Sequence, residues 1–258
     1  MAELHDRVVL VSGGSQGVGA AVARTAAREG AQVVVTGRRP DVGERCVAEL
    51  RELGADASFV RCDVADVEQC RDAVATTVQR HGRIDSLVNA AGLTSRGTLL
   101  DTTLELFDAH VAVNLRGPFF LMQAAVADMV RRGRPGTIVN IITMSSHGGQ
   151  PFLAPYVSAK AGLAGLTRNA AHAHRWDRVR INGVNIGWTQ SEGEDAVQRE
   201  FHDADDTWLE RAAASQPMGK LGQVDEIAEL VLLLLSDRSG VVTGSVMDWD
   251  QQVLGALD

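Results

Sequence analysis

The alternation of short β-branched segments with alanine-rich segments of helical period constrains this chain more than any other feature. The predicted strands are apolar throughout, with no alternation between apolar and polar residues. Strands of this kind are buried on both faces, and a parallel sheet with a helix after each strand buries them in that way. We therefore expect an α/β fold that consists of one doubly wound sheet.

The predicted elements follow one another without a linker, a repeat or a block of like charge, so residues 1–258 are expected to form a single domain. Within the long helical segment 104–129, Gly117-Pro118 should kink or split the helix. The predicted strands are residues 8–11, 32–36, 58–62, 86–88, 137–142, 179–185 and 245–249. The predicted helices are residues 17–29, 41–53, 67–80, 104–129, 156–175, 194–214 and 224–235.

Charge and hydropathy exclude several classes of protein. The net charge of −8 provides no basic face for nucleic acid or for an anionic membrane surface. The longest aliphatic run, residues 230–235, is far shorter than the roughly 20 residues that span a bilayer. Charged residues near the start argue against a signal peptide, and Cys46, Cys62 and Cys70 lack metal-binding spacing. We expect a cytoplasmic protein that holds no metal and has reduced thiols.

Glycines between the first strand and the first helix predict a dinucleotide-binding loop. Gly13 permits a tight turn, Gly17 lets backbone N–H groups approach a pyrophosphate, and Gly19 lets the helix pack close to the sheet. A purely structural turn is the alternative. The other residues of this loop that we expect at the cofactor are Ser15, Gln16 and Val18.

The end of the second strand favours NADP over NAD. A carboxylate at this position would bind the adenosine ribose of NAD, whereas arginine accommodates the 2′-phosphate of NADP. Here the strand is followed by Arg38 and Arg39, and no acidic residue is present. The alternative is a pair of solvated arginines, and NAD remains possible.

The only tyrosine of the chain, Tyr156, lies four residues before Lys160, one of its two lysines. Residues at this spacing share a helix face. A lysine ammonium at roughly 5 Å, at an effective dielectric constant of about 20, favours the phenolate by about 3 kcal/mol. We therefore expect the pKa of Tyr156 to lie within about one unit of the operating pH, where a group transfers protons best.

These motifs, together with Asn89-Ala90-Ala91-Gly92 after the fourth strand, resemble the short-chain dehydrogenases/reductases of common length over essentially the whole chain. The resemblance implies a single Rossmann domain with a seven-stranded parallel sheet and helices on both faces. It also implies hydride transfer between a nicotinamide cofactor and a carbinol or carbonyl carbon. Cofactor contacts are implied for Asp63, Val64, Asn89, Ala90, Ala91, Gly92, Tyr156, Lys160, Ile186, Thr189 and Ser191.

Two further catalytic residues are implied by the same resemblance. The serine of the family lies thirteen residues before the tyrosine, where this chain has Thr143. Its hydroxyl can donate to a substrate oxygen as a serine does, although Ser145 could take the role or the function could be lost. Asn114 occupies the position of an asparagine that belongs to a proton relay in the family; taken alone, the residue favours the simpler interpretation of a hydrogen-bonding helix residue.

Substrate contacts are expected on the loop before Tyr156 and on the segment after Gly187, because binding residues concentrate on loops held by a rigid sheet. Eight acidic side chains lie in residues 190–215, which we interpret as a lid. The polar candidates favour a sugar, a polyol or a similar secondary alcohol. Simple solvation of the histidine and packing of the tryptophans are the alternatives. The candidates are Ser145, His147, Gln150, Trp188 and Trp208.

Other functions remain open at this point. They are an NAD-linked reductase of a ketoacyl or steroid-like substrate, a non-catalytic dinucleotide-sensing regulator and a Rossmann-like methyltransferase. The resemblance implies a homotetramer or a homodimer that pairs through residues 104–129 and the helix of Tyr156. Phe119-Phe120-Leu121-Met122 provides apolar surface for such an interface, or is part of the core.

Overall fold

The structure, a computed structural model, describes residues 3–255. In that range one sheet of seven parallel strands crosses the molecule in the order β3-β2-β1-β4-β5-β6-β7. The prediction of a doubly wound parallel sheet is therefore confirmed. The strands are β1 (Val8–Ser12), β2 (Gln32–Gly37), β3 (Ala57–Arg61), β4 (Ser86–Asn89), β5 (Gly136–Thr143), β6 (Val179–Ile186) and β7 (Val246–Trp249).

Nine α-helices accompany the sheet within the described residues, and none of these helices is long and apolar enough to span a membrane. They are α1 (Gly17–Arg28), α2 (Pro40–Glu52), α3 (Val67–His81), α4 (Leu104–Val111), α5 (Gly117–Arg132), α6 (Ala154–His174), α7 (Glu192–His202), α8 (Trp208–Ala214) and α9 (Val224–Leu235).

The two faces of the sheet carry two separate apolar cores. In β1, Val9 and Val11 join a core that includes α1, α2 and α9, whereas Leu10 joins a core that includes α3, α5 and α6. All three side chains are fully buried. Because both faces are covered, no position of the strand needs to be polar, which explains the uninterrupted apolar segments of the sequence.

The direction of winding reverses between β1 and β4, which pair in the middle of the sheet. The loops that follow these two strands diverge and leave a crevice at the carboxyl edge, where doubly wound proteins bind ligands. The loops approach each other closely at one point. A Cβ on Gly13 would lie 2.6 Å from the backbone nitrogen of Ala91, so a larger residue does not fit there.

The long helical segment 104–129 is divided at Gly117-Pro118, as the sequence predicts. Helix α4 is followed by a π-helical turn, Ala112–Arg116, before α5 begins at Gly117. Pro118 lies in the first turn of α5, where its missing N–H is tolerated. A Cβ on Gly117 would overlap the carbonyl oxygen of Val64, so this glycine lets α5 approach the loop after β3.

The 190–215 segment also differs from its prediction of one continuous helix. It forms α7 and α8, separated at Asp203, whose φ of 50° ends α7 in the left-handed region. Before α7, Thr189–Gln190 pairs with Gly222–Gln223 as a short two-stranded sheet. This pairing holds the start of the segment beside the carboxyl edge of the main sheet.

Candidate active site

A cavity of about 1280 Å³ runs along the carboxyl edge of the sheet, from the glycine loop to the 190–215 segment. It brings together most of the residues that the sequence singles out, although they come from many separate parts of the chain. Those that line it are Gly13, Ser15, Gln16, Gly17, Val18, Gly19, Arg38, Arg39, Asp63, Val64, Ala90, Ala91, Gly92, Thr143, Ser145, Gln150, Tyr156, Lys160, Ile186, Trp188, Thr189 and Ser191. Four do not: Asn89, Asn114, His147 and Trp208.

The glycine loop forms an open cradle at one end of the cavity. Gly13 and Gly17 both have positive φ, at 71° and 53°. The nearest atom to a Cβ on Gly17 is the Cβ of Ser191, 3.9 Å away, so the space above this residue is free. A Cβ on Gly19 would instead overlap the carbonyl oxygen of Gly13, so this glycine allows close packing. The cradle fits a pyrophosphate.

Positive charge surrounds this cradle. The side chain of Gln16, the residue before α1, caps no N–H group of the helix and accepts instead from the Arg39 guanidinium. The first N–H groups of α1 and the positive end of its dipole are thus left for an anion. Within residues 3–255, neither Arg38 nor Arg39 forms an ion pair. These groups suit the phosphates of a dinucleotide.

The residues after β3 form the wall beside the cradle. The Asp63 carboxylate accepts from the backbone N–H of Ala65 at 3.0 Å, which holds the turn in shape. Asn89, at the end of β4, does not reach the cavity. Its side chain is buried and donates to the Asn140 carboxamide oxygen at 2.8 Å, because the last residue of β4 still points into the sheet interior. The cofactor contact implied for Asn89 by the family resemblance stays a prediction.

Tyr156 and Lys160 lie in the first turns of α6, both buried, and both line the centre of the cavity. The Lys160 ammonium donates to the carbonyl oxygen of Ile141 at 2.8 Å and lies 6.0 Å from the centre of the Tyr156 ring. The one-turn spacing thus places both groups at the same end of β5, as their separation of four residues predicts.

The pKa of the phenol differs from the expectation. Burial raises the pKa of Tyr156 to about 12; a hydrogen bond with Thr143 opposes the rise, the Glu194 carboxylate adds to it and Arg96 opposes it. Burial also lowers the pKa of Lys160 to about 8. The expected depression of the phenol pKa took account of the attraction between the charges but not of desolvation. Removing both groups from water disfavours both charged forms.

Two hydroxyl groups lie beside the phenol. Thr143 is buried at the end of β5, and its hydroxyl lowers the pKa of Tyr156, which favours the phenolate. Its Oγ1 also donates to the Ser145 hydroxyl at 3.3 Å, and Ser145 donates in turn to Gln150 Oε1 at 2.6 Å. Both residues line the cavity, but only Thr143 affects the pKa of the phenol.

Asn114 lies in the π-helical turn and is fully buried. Its carboxamide oxygen accepts from the backbone N–H of Leu93 at 3.1 Å, and its amide nitrogen donates to the Leu93 carbonyl oxygen at 3.0 Å. The side chain therefore points away from the cavity and braces the loop after β4. Any contribution to proton transfer must come through its backbone or through this loop.

The opposite end of the cavity is polar, and the 190–215 segment forms much of it. The indole N–H of Trp188 and the amide of Gln198 both donate to Glu194 Oε1 at 2.7 Å. Arg96 faces the same region, with its guanidinium between the rings of Phe152 and Phe201 at 5.3 and 5.6 Å from their centres. Sequence reasoning missed Arg96, Glu194, Gln198 and His202 as cavity residues. Arg96 could have been noticed from its place four residues after Gly92.

Two substrate candidates lie elsewhere. The His147 ring contacts the Asp248 carboxylate at 3.1 Å and the Asn185 amide at 3.0 Å, on the far side of its 3₁₀ turn. Trp208 is buried in a small core with Leu221 and donates to Asp195 at 2.7 Å. It stacks behind Trp188, with ring centres 6.4 Å apart. His147 thus stabilises a turn, and Trp208 supports the wall.

In the part of the chain that the structure describes, no group of three or more His, Cys, Asp or Glu side chains is placed to hold a metal ion. Cys46, Cys62 and Cys70 are all buried and free.

Comparison with known proteins gives consistent results. Residues 13–251 match the family model described as enoyl-(acyl carrier protein) reductase. The chain is 34% identical to an L-rhamnose 1-dehydrogenase (NAD(P)(+)) of Sphingomonas sp. strain SKA58, over 95% of this chain and 94% of that protein. A short-chain type dehydrogenase/reductase of Mycobacterium marinum superposes with a TM-score of 0.89 at 30% identity, over 98% of each chain. A variant of actinorhodin polyketide ketoreductase with NADPH superposes with a TM-score of 0.91 at 30% identity, over 97% of this chain and 98% of that one.

Proposed function

The chain belongs to the short-chain dehydrogenase/reductase family and is an NAD(P)-dependent oxidoreductase of alcohols and ketones; we propose that it transfers hydride between NADP(H) and a sugar, a polyol or a similarly polar secondary alcohol. The reaction class follows from family membership. The preference for NADP and the substrate class are our proposals.

One observation carries the choice of substrate class: the Glu194 carboxylate, held by Trp188 and Gln198, lines the same cavity as Tyr156 and acts on the pKa of the phenol. A carboxylate accepts hydrogen bonds from hydroxyl groups, and the adjacent indole offers an apolar face for the C–H groups of a sugar. Arg96 and Gln150 add further hydrogen-bonding groups to the same cavity. A wall of this kind favours a substrate with several hydroxyl groups over an apolar one.

NADP is favoured by the guanidinium groups of Arg38 and Arg39 at the end of β2. Both line the cradle end of the cavity, and neither has a carboxylate partner within residues 3–255. Arginine binds phosphate with two parallel hydrogen bonds. The Asp or Glu that would select NAD by binding the ribose is absent from residues 36–39.

The chain's own residues hold and move the proton of the reaction. A bound nicotinamide supplies the hydride acceptor or donor at the reacting carbon. In oxidation, the Tyr156 phenolate takes the proton of the substrate hydroxyl, and in reduction the phenol returns it. Thr143 donates to the same substrate oxygen and holds it beside the phenol. The positive charge of the Lys160 ammonium favours the phenolate and so opposes the effect of burial on the pKa of Tyr156.

The function is tested by following the nicotinamide absorbance of the purified protein with each cofactor. Panels of sugars, polyols, hydroxysteroids and ketoacyl thioesters serve as substrates. We expect turnover with NADP(H) and a polyhydroxylated compound. Turnover only of steroid or thioester substrates with NAD(H) would reverse the substrate and cofactor assignments. Tight cofactor binding without turnover would indicate a sensor, and failure to bind either cofactor would reopen the methyltransferase alternative.

A further inference from the structure

One fully buried titratable group next to the reacting centre has no part in this mechanism. His110, in the last turn of α4, is 0% exposed. Its ring meets the Tyr156 ring edge to face, with centres 6.1 Å apart and planes at 69°. It also contacts Asn114 and Ser95, so its surroundings are polar on two sides.

Each ring nitrogen of His110 has its own partner. Nε2 lies 3.1 Å from the Ser95 carbonyl oxygen, which can only accept, and 3.1 Å from the Ser95 hydroxyl. Nδ1 lies 3.2 Å from the amide nitrogen of Asn114, which can only donate. Burial lowers the pKa of His110, so the neutral ring is favoured. The tautomer that satisfies both sides carries its proton on Nε2 and its lone pair on Nδ1.

The lone pair on Nδ1 decides which way the Asn114 carboxamide faces. A carboxamide turned by 180° would place its oxygen against Nδ1, and two acceptors would then oppose each other. The observed orientation also satisfies Leu93, whose N–H and carbonyl oxygen bond to the carboxamide at 3.1 and 3.0 Å. His110 thus fixes one side chain, and that side chain fixes the backbone of the next loop.

The loop in question borders the reacting centre. Leu93, Thr94 and Arg96 line the cavity, and the Arg96 guanidinium donates to the Thr94 carbonyl oxygen at 2.9 Å. His110 binds this loop at Ser95, and Asn114 binds it at Leu93. The two side chains together hold the loop at two points between β4 and the polar end of the cavity.

We propose that His110 is a positioning residue for the hydride-transfer reaction: through its Nδ1 acceptor it orients Asn114, and Asn114 in turn holds Leu93 and the loop 93–96 against the reacting centre. The inference rests on the proposed function in so far as it concerns catalysis. It assigns to His110 no proton transfer and no contact with the substrate.

Two substitutions separate this role from packing. In His110→Asn, the side-chain oxygen can take the place of Nδ1, because both atoms are bonded to Cγ. His110→Leu fills the same buried space with an apolar side chain that has no acceptor. We expect His110→Leu to lower kcat by about 10- to 100-fold, the scale of a misplaced active-site group. We expect His110→Asn to stay within about threefold of the wild-type kcat, and the dissociation constant of NADPH to change by less than about twofold in either variant.

Nitrogen-15 NMR of histidine-labelled protein provides a readout that needs no substrate. The signals lost in His110→Asn identify His110 in the wild type, and we expect a neutral ring protonated at Nε2. The protonation state of the ring can be measured without a substrate. A failure to find turnover would therefore refute the proposed function but would leave this NMR result unchanged. If His110→Leu does not fold, the position of the ring proton in the wild type still tests the inference.

Three results would overturn the inference. The first is a wild-type ring that carries its proton on Nδ1. The second is a folded His110→Leu protein with wild-type kcat. The third is an equal loss of kcat in folded His110→Leu and His110→Asn, because the acceptor would then be irrelevant.

Discussion

Burial and hydrogen bonding act in opposite directions on the Tyr156 phenol. Burial raises its pKa, whereas the Thr143 hydroxyl and the Arg96 guanidinium favour the charged form. Lys160, one turn further along α6, is also buried, and burial lowers its pKa to about 8. Burial therefore brings Lys160 close to a change of charge state near neutral pH, but it keeps the Tyr156 phenol protonated there.

The first prediction concerns the phenol itself. Tyr156→Phe removes one oxygen atom and leaves the packing around the ring in place. We expect kcat to fall by about 10³-fold or more, because no other group can exchange the substrate proton. The affinity for NADPH, measured by fluorescence titration, should stay within about threefold. Ser158→Ala, at an exposed residue of the same helix, serves as the control and should keep full activity. Undiminished turnover by Tyr156→Phe would refute the role.

The second prediction decides between the two hydroxyl groups. Thr143→Val keeps the shape of the side chain and removes the hydroxyl that we propose to hold the substrate oxygen beside the phenol, so we expect kcat to fall by about 10²-fold. Thr143→Ser restores the hydroxyl and should recover activity to within about threefold. Ser145→Ala should keep most of the activity. A larger loss in Ser145→Ala than in Thr143→Val would transfer the role to Ser145.

The third prediction follows from the lowered pKa of Lys160. The folded protein releases this proton near pH 8, whereas the unfolded chain keeps it to about pH 10.4. The unfolded state binds more protons between these values, so the free energy of unfolding should rise with pH, by up to about 3 kcal/mol. The raised pKa of Tyr156 acts in the other direction only above about pH 10.

Urea unfolding at several values between pH 7 and pH 10 measures this effect. Wild type should gain stability over Lys160→Met as the pH rises, because the variant lacks the titrating group. Lys220→Met, which removes the exposed lysine, should behave like wild type. A constant difference between wild type and Lys160→Met across the range would show that the pKa is not lowered.

At the scale of elements, the side chain of Arg96 links the end of α7 to two other loops of the site. The Arg96 guanidinium contacts the His202 ring nitrogen at 2.9 Å and stacks on Phe201, both at the end of α7. Its other face meets Phe152, in the loop before α6. Because these contacts link α7 to the loops that follow β4 and β5, we expect Arg96 to keep the segment closed over the cavity.

The fourth prediction tests this link. Arg96→Met removes the cation–π contacts and the hydrogen bond, worth together about 1–2 kcal/mol. Amide hydrogen exchange in α7 should become about 10-fold faster, while α1 should be unchanged. Arg71→Met is a matched control. Arg71 also stacks on a phenylalanine, Phe120, but it belongs to α3 and not to the 190–215 segment or its neighbouring loops. Unchanged exchange of α7 in Arg96→Met would show that other contacts close the segment.

Several elements could be predicted because their signals are local. Helix α9 begins and ends at the predicted residues, and β1 differs by one residue. The division of the segment 104–129 at Gly117-Pro118 was also predicted, but the π-helical form of the turn before it was not, because periodicity does not distinguish a π-helical turn from an α-helical one. The break of the 190–215 segment at Asp203 was not predicted either. Non-glycine residues rarely adopt positive φ, so the sequence pattern alone favours a continuous helix there.

At the scale of the whole molecule, apolar side chains remain exposed on α4 and α5. Leu104 is 69% exposed, and Phe107 and Phe119 are each 42% exposed. The segment Phe119-Phe120-Leu121-Met122 was predicted to be either interface or core. Leu121 and Met122 are buried in the core, whereas Phe119 is exposed. We propose that the exposed side chains of these helices pair with a second copy of the chain, as the resemblance to tetrameric enzymes implies.

The fifth prediction is an oligomeric state. Light scattering after size exclusion should give four copies of the chain, or two. The double substitution Phe107→Glu and Phe119→Glu should reduce the assembly, because charge would be buried at the contact. Leu53→Glu, at a residue of equal exposure beyond the end of α2, should not. A monomeric wild type, or an assembly that survives the double substitution, would place the interface elsewhere or exclude it.

The sequence by itself determined the order of strands and helices, the glycine cradle and the Tyr156–Lys160 pair, because each is encoded within a few neighbouring residues. Tertiary structure alone decided that Asn89, Asn114, His147 and Trp208 turn away from the cavity, and that Arg96, Glu194 and His202 line it. It also decided the pKa of Tyr156, because desolvation depends on everything packed around a group. Spacing along the chain shows which residues can share a helix face, but only the packing of distant segments determines what surrounds them.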